Sequence, residues 1–506
     1  MSNLQSVDLS GQPFHFIGVG GIGMSALAYV LAKRQLPVSG SDLRLTHITQ
    51  RLHAAGAHIF SQQAAKNLEY FSTPSAVESK SSDDQTTDSI QHQQTPAIAM
   101  VTPPSKGLPQ VICSTAITKE NCEYAAAVRQ GCKIFHRSDL LAALMSESPR
   151  GIAVAGTHGK TTTSSALAYV LLEAGLDPTI VVGGEVDAWD GNAHLGGGEI
   201  LVAEADESDG SLIKMVPHIG IVTNIELDHP DYFTSLDAVM NIFRTFARQC
   251  PTLVGCIDWQ TVVDLKPDIT YSLDPDRNAD YTVTEASYHS WGSTAVVWEY
   301  GQSLGPLRLQ LLGPHNLSNA LAVVATARSL NVEFAAIARG LERFTGTKRR
   351  FEIRGEVAGV TLVDDYAHHP SEVRATLAAA RLCQVSALTA TNRARRVLAI
   401  FQPHRYSRTE AFLDEFATSF ADADIVITTD IYSAGEPARA ICGQTVADAI
   451  AAHHPQVHYQ PDLEALSVFL VQLLQPGDLV LYLGAGNLNQ TIPKAIALLG
   501  GDREAA

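Results

Sequence analysis

The chain has 506 residues, 45% of them apolar and 18% charged, and a formal net charge of −17. That length exceeds what one core holds and implies about three domains, while the acidic balance argues against nucleic-acid binding, which needs a basic surface. Seven scattered cysteines without a CxxC pair exclude a disulfide scaffold, and with no signal peptide and no apolar run of about 18 residues a cytoplasmic protein without membrane insertion is expected.

In chain order, PFHFIGV (13–19) reads as a strand, GVGGIG as a turn, MSALAYVLAKRQ (24–35) as a helix and LPVSGSD (36–42) as a second strand ending at an acid. This is the opening of a doubly wound sheet. Residues 72–97 are rich in Ser, Thr, Gln and Asp with almost no large apolar side chains, and are expected to be a disordered insertion. Sheet structure resumes at QVICSTAI (110–117).

A second unit opens with the strand IAVAG and a helix from about Thr161 to Ala174, stopped by Gly175. EILVAEADESD and HIGIVTNIELDHPD read as strands with acids at their carboxyl ends. Residues 258–310 alternate apolar and polar positions, predicting antiparallel strands, and HNLSNALAVVATARSL predicts a helix. From about 346, GVTLVDDYAHHP, RRVLAIFQPHR, ADIVITTDIYSAGE and DLVLYLGAG are apolar strands with polar ends, and 384–395 reads as a short loop insertion. The expectation is an α/β protein of three domains, 1–146, 147–345 and 346–506.

Two glycine loops carry chemistry. In AGTHGKTTT (155–163) a glycine turn between strand and helix aims backbone N–H groups at an anion. Gly156, Thr157, His158 and Gly159 form the turn, Lys160 suits the outer phosphates, and Thr161, followed by Thr162, can ligate Mg²⁺. It is a GTxGKTT variant of the phosphate-binding loop. The upstream loop fits G-x-G-x-x-G through Gly18, Gly20 and Gly23, with Gly21 between, and Asp42 ends the next strand where a ribose-binding acid belongs. Such a loop holds a pyrophosphate, and both NAD and a UDP-sugar have one.

Glu204, Asp206, Glu207 and Asp209 crowd one strand end, either as a solvated acidic turn or around a cation, with Glu204 the direct ligand. His229 closes the next strand beside acids and is a candidate metal ligand. His404, Arg405 and Arg408 of HRYSR suit a carboxylate or phosphate. DDYAHHP adds Asp364, Asp365, Tyr366, His368 and His369, and TGTKRRFE adds Lys348, Arg349 and Arg350.

Taken together, GTHGKTTT, AEADESD, TNIELDH, GPHNLSNALA, TGTKRRFE, DDYAHHP and GAGN resemble the Mur ligase family over nearly the whole chain. GVGGIGMSALA, FQPHRYSRT and DIYSAGE are similar to its alanine-adding branch. The resemblance implies an N-terminal Rossmann-like UDP-binding domain, a central P-loop ATPase-type α/β domain and a C-terminal Rossmann-like α/β domain. It implies ATP and Mg²⁺, UDP-N-acetylmuramate and L-alanine, and amide formation through an acyl phosphate; no oligomeric state follows from it.

By the same resemblance Lys160 and Thr161 serve phosphates and Mg²⁺, with Glu204 and His229 as metal ligands. His315, Asn316 and Asn319 contact ATP, Asn319 near the adenine, while Arg350 and Asp365 reach the nucleotide from the third domain. Tyr366, His368, His404, Arg405 and Arg408 form the amino-acid site, and Gly18 to Gly23, Ser41, Asp42 and Ser114 hold the UDP portion. Several sister ligases place a carbamylated lysine after the corresponding His; here no lysine lies between Lys214 and Lys266, as expected of the alanine-adding branch. A rival reading is the recycling ligase that adds a preformed tripeptide to the same UDP-sugar, and a dehydrogenase is a third.

Overall fold

The structure, a computed structural model, describes residues 6–72, 107–391 and 396–501. Nearly all of the expected insertion at 72–97 therefore lies outside the described residues. The chain divides into two compact units after Leu144.

The first unit is built on a parallel sheet of β1 (Phe14–Ile17), β2 (Val38–Ser41), β3 (His58–Phe60), β4 (Gln110–Cys113) and β5 (Ile134–His136), in the order β3-β2-β1-β4-β5. β1 sits centrally and carries the glycine turn at its carboxyl end, the switch point where such sheets bind ligands. The helix after it, Ile22–Lys33, begins two residues earlier than predicted. Gly18 takes a left-handed φ of 77° and completes the turn quickly enough for Ile22 to start the helix.

The second unit holds two sheets. The larger contains β6 (Arg150–Ala155), β7 (Thr179–Val186), β8 (Gly191–His194), β9 (Ile200–Glu204), β10 (Ile219–Val222), β11 (Thr252–Cys256), β12 (Ile269–Ser272), β13 (Tyr281–His289), β14 (Gly292–Glu299) and β15 (Gln302–Leu309). β6 lies between β10 and β9 and is parallel to both. Its interior is fully buried, as expected of an apolar strand covered on both faces. The antiparallel reading of 258–310 is correct only from β13 onward. β12 pairs parallel with β11 and β13, reached through a short helix, Gln260–Val263, and only the β13–β14–β15 meander is antiparallel. The exposed edge of that meander supplies the alternation; β12 is too short to show a period.

The smaller sheet comprises β16 (Glu352–Val357), β17 (Val360–Asp365), β18 (Val397–Phe401), β19 (Ile425–Thr428), β20 (Val457–Tyr459) and β21 (Leu479–Leu483), in the order β16-β17-β21-β18-β19-β20. All pairs are parallel except β16–β17. Because β21 inserts between β17 and β18, the segments DDYAHHP, QPHRYSR and GAGN leave adjacent strands at one edge. The loop reading of 384–395 needs correction: one helix runs Pro370–Thr391, and 392–395 lie outside the described residues. The stretch contains no Gly or Pro to end the helix before Thr391, and Ala and Leu favour its continuation. Among the described residues, no helix is long and apolar enough to cross a membrane.

Candidate functional site

The phosphate-type loop is built as its glycines require. Gly156 has φ 132° and Gly159 φ 82°, and a Cβ on Gly156 would lie 2.1 Å from Thr223 Oγ1. Gly156→Ala is therefore expected to lower the melting temperature by several degrees and remove nucleotide-dependent stabilisation, both readable by thermal scanning with and without ATP. The loop is pinned from the end of β10: Asn224 O accepts from Thr157 N–H, and Asn224 Oδ1 from His158 N–H at 2.8 Å.

Lys160 bends back over the loop, donating to Gly156 O at 2.7 Å and to both oxygens of Glu207 at 2.9 Å. Burial alone would lower the lysine, but Glu207, Asp206 and Glu204 outweigh it and carry the pKa up to about 12. Burial pushes Glu207 up to about 7 despite the lysine. Thr161 Oγ1 donates to Glu204 Oε2 at 2.8 Å, and Gly183 N–H holds the same oxygen at 2.9 Å. The expected Thr161–Glu204 pair is thus assembled, and His229 lies within electrostatic reach of Asp206 and Lys160 beside it.

A cavity of about 320 Å³ adjoins this loop, between the two sheets of the second unit. His158, Gly159, Thr162, His315, Asn316 and Asn319 line one side and Arg350 and Asp365 the other. Asn319, expected near an adenine, packs over Gly159: a Cβ there would lie 2.5 Å from its Oδ1. The far wall carries Asp258 and Trp259 after β11, together with Leu273, Leu311 and Leu312. Burial, assisted by Arg350, lowers His315 to about 4. Burial raises Asp365 to about 6 although Arg350 opposes it, and the carboxylate accepts from Phe351 N–H and Ala367 N–H. Arg349 and Phe351, flanking Arg350, both have left-handed φ, 61° and 51°, an unusual backbone for large side chains.

Beside the cavity, residues from both sheets form a dense polar cluster. Arg408, 2% exposed, donates through Nε to Asp228 Oδ1 at 2.9 Å; Nη1 lies 3.4 Å from His404 Nδ1 and Nη2 3.5 Å from His229 Nδ1. Arg405 pairs with Asp231. The two arginines expected to grip a carboxylate are therefore already matched by aspartates of the TNIELDHPD loop. His368 meets His404 edge to face at 5.8 Å and Tyr366 at 5.2 Å. Burial holds His368 down to about 4 and His404 to about 2. His368 Nδ1 sits 2.9 Å from Tyr366 O, so the neutral ring carries its proton there and leaves Nε2 as an acceptor.

In the first unit, Gly18 N–H and Val19 N–H both donate to Ser41 O at 2.9 Å, and Gly20 N–H donates to Asp42 Oδ2 at 2.8 Å. Gly21 caps the helix and Gly23 lies in its first turn, where a Cβ would come within 3.2 Å of Arg137 Nη1. Arg137 thus places a cation at the helix start. Ser114 follows β4, with its carbonyl accepting from Ile117 N–H. The Ser41 hydroxyl turns inward to fully buried Glu123 at 2.5 Å, which also accepts from Asn67 at 2.6 Å.

Residue-by-residue reading missed Glu123, Arg137, Asp228, Asp231, Glu226, Trp259 and Glu372. The available signal was position: Glu226, Asp228, Asp231 and Trp259 follow β10 and β11 at carboxyl ends, where ligands collect.

Three family models match in sequence: Mur ligase family, catalytic domain, over residues 13–149; Mur ligase middle domain over 154–327; and Mur ligase, glutamate ligase domain, over 349–486. A curated relative from Nostoc punctiforme, UDP-N-acetylmuramate–L-alanine ligase, is 60% identical over 493 residues, 97% of each chain. One of the same name from Gloeothece citriformis is 59% identical over 502 residues, 98% of this chain and 99% of its own. Among solved structures, UDP-N-acetylmuramate-alanine ligase from Thermotoga maritima superposes with a TM-score of 0.76 at 26% identity, covering 97% of this chain and all of that one. A murein peptide ligase from Psychrobacter arcticus shares the fold, with a TM-score of 0.67 at 22% identity over 97% of this chain and 99% of its own.

Proposed function

The chain belongs to the Mur ligase family, and from that membership we infer how its residues divide the work of an ATP-dependent ligation. The protein adds L-alanine to UDP-N-acetylmuramate in peptidoglycan precursor synthesis. The observation that carries this is identity of 56–60% over nearly the full length to relatives bearing that one name. The lactyl carboxylate attacks the γ-phosphate, releasing ADP and forming an acyl phosphate. The alanine amine then attacks the acyl carbon, and inorganic phosphate leaves as the amide forms.

The first step brings an anion to a polyanion, so charge neutralisation dominates its barrier. Lys160 supplies one cation, exchanging Glu207 for a phosphate oxygen. Thr161 and Glu204 offer oxygen donors already 2.8 Å apart, a set that fits Mg²⁺, and His229 would complete it; the ion would neutralise phosphate charge when bound. Asn316, Asn319, His315 and Arg350 hold the nucleotide, with Trp259 at the base end. Gly18 to Gly23, Asp42, Ser114 and Arg137 hold the UDP portion, and Ser41, fully buried with its hydroxyl donating to Glu123 and its carbonyl accepting from Gly18 and Val19 N–H, supports the loop from behind. Arg405 and Arg408 take the alanine carboxylate while staying paired with Asp231 and Asp228. His368, neutral with its Nε2 lone pair available, orients the amine rather than storing its proton.

The test is ADP release with ATP, Mg²⁺ and UDP-N-acetylmuramate, comparing L-alanine with L-Ala-γ-D-Glu-meso-diaminopimelate. Turnover with alanine and none with the tripeptide is expected; turnover with the tripeptide alone would keep the ATP chemistry and move the chain to the recycling branch.

A further inference from the structure

A second cluster of ligand-type side chains lies beside the nucleotide cavity and has no part in the chemistry above. His158 of the phosphate loop, Glu226 after β10 and His369 before the Pro370–Thr391 helix present ligand atoms that all lie within 4.8 Å of one another. His158 Nε2 is 2.9 Å from Glu226 Oε2, and the His158 and His369 rings are 4.8 Å apart. His369 is only 5% exposed, and its Nε2 is buried without a hydrogen-bond partner. An unsatisfied buried polar atom costs about 1–3 kcal/mol, and here it sits beside a carboxylate and a second imidazole.

The surrounding groups are arranged as outer partners of a metal usually are. Glu372 Oε1 lies 3.2 Å from His158 Nδ1, so it can hold the proton on that nitrogen and leave Nε2 for an ion. Ser371 donates to Glu226 Oε1 at 3.1 Å, which leaves Oε2 as the ligating oxygen. The contact between His369 Nδ1 and Ser371 N–H is long, 3.3 Å, and yields at little cost when the ring proton moves to Nδ1. Tetrahedral ligand atoms around zinc stand roughly 3.3 Å apart, so the widest separation, up to 4.8 Å, needs to close by as much as about 1.5 Å while the His158–Glu226 pair, at 2.9 Å, opens slightly.

We propose that His158, Glu226 and His369 form a binding site for one divalent transition-metal ion of the zinc class, separate from Thr161 and Glu204. Two imidazoles and one carboxylate select Zn²⁺, Co²⁺ or Ni²⁺ over Mg²⁺, which prefers oxygen. His158 and Glu226 belong to the larger sheet's loops and His369 to the smaller sheet's, so the ion ties the two together at the mouth of the nucleotide cavity. The fourth position faces that cavity, which His158, Glu226 and Glu372 line.

The test titrates the full chain with Co²⁺ in excess Mg²⁺ and reads the visible absorption of four-coordinate cobalt. One equivalent is expected to give an intense band that Zn²⁺ abolishes, and Zn²⁺ should raise the unfolding midpoint. His369→Ala should lose both effects. Glu226→Gln, which keeps the neighbouring hydrogen bonds, should weaken Co²⁺ binding at least tenfold while retaining the wild-type circular dichroism. His229→Ala should leave the band in place. No band in the wild type, a band unchanged in His369→Ala and Glu226→Gln, or a thiolate-to-cobalt charge-transfer band would each overturn the assignment.

Discussion

Lys160→Met is expected to reduce ADP formation by about 10³-fold or more, a loss of roughly 4 kcal/mol of transition-state stabilisation. The variant should still bind UDP-N-acetylmuramate within about twofold of wild type, because the GVGGIG loop belongs to the other compact unit. Titration calorimetry with the UDP-sugar and a coupled ADP assay separate the two effects. The substitution also removes the partner of Glu207, a carboxyl that is 2% exposed. An unpaired ionised carboxylate there would be costly, but burial already raises Glu207 to about 7, and losing the lysine raises it further, so it folds protonated near neutrality. The sign follows: an acid with a raised folded pKa binds its proton more tightly folded than unfolded, so stability falls as pH rises from the unfolded value of about 4.3 through the folded one. Lys160→Met should accordingly lose stability relative to wild type on going from pH 6 to pH 9, and the added change Glu207→Gln should flatten that difference. Wild-type ADP release by Lys160→Met would remove the lysine from the phosphates.

The contrast between Lys160 and Glu207 also marks where sequence reading stops. The loop around Lys160 is local: strand, glycine turn and helix are contiguous, and the left-handed φ of Gly156 and Gly159 is written in residue identity. The same holds for GVGGIG and for the long apolar runs that become β6, β18 and β21. Partners are another matter. Lys160 finds Glu207 across 47 residues, Arg408 finds Asp228 across 180, and His158 finds Glu372 across 214. No periodicity reports such pairings; they arise because β21 inserts between β17 and β18 and because both sheets of the second unit present their carboxyl ends to one cavity. The acids could be read as candidates from their place after strands, but not which arginine each would meet. Asp42 shows a subtler limit. Its place after β2 suggested a ribose contact, and in the structure it accepts the Gly20 N–H, organising the loop itself.

Arg408→Ala should produce the largest combined loss of stability and amino-acid affinity. Its guanidinium is buried, and it holds Asp228, itself 6% exposed, at 2.9 Å. Removing one member of such a pair strands the other, at about 3–5 kcal/mol. The melting temperature should therefore fall by several degrees, and Asp228→Asn in the same chain should recover part of it by neutralising the stranded charge. The effect on binding has a separate origin. Guanidinium has five N–H donors; Asp228 takes the one on Nε, while Nη1 and Nη2 make only long hydrogen bonds to histidines, at 3.4 and 3.5 Å. These weakly held donors are what an amino-acid carboxylate would engage, so the KM for L-alanine should rise on the order of 100-fold, the size expected for a lost bidentate charge pair. Arg408→Lys distinguishes the two roles. A lysine retains a charge for Asp228 and hence much of the stability, but not the planar fork, so its alanine KM should stay high. If Arg408→Lys bound alanine as the wild type does, the arginine would be a link between the two sheets and not the carboxylate's receptor.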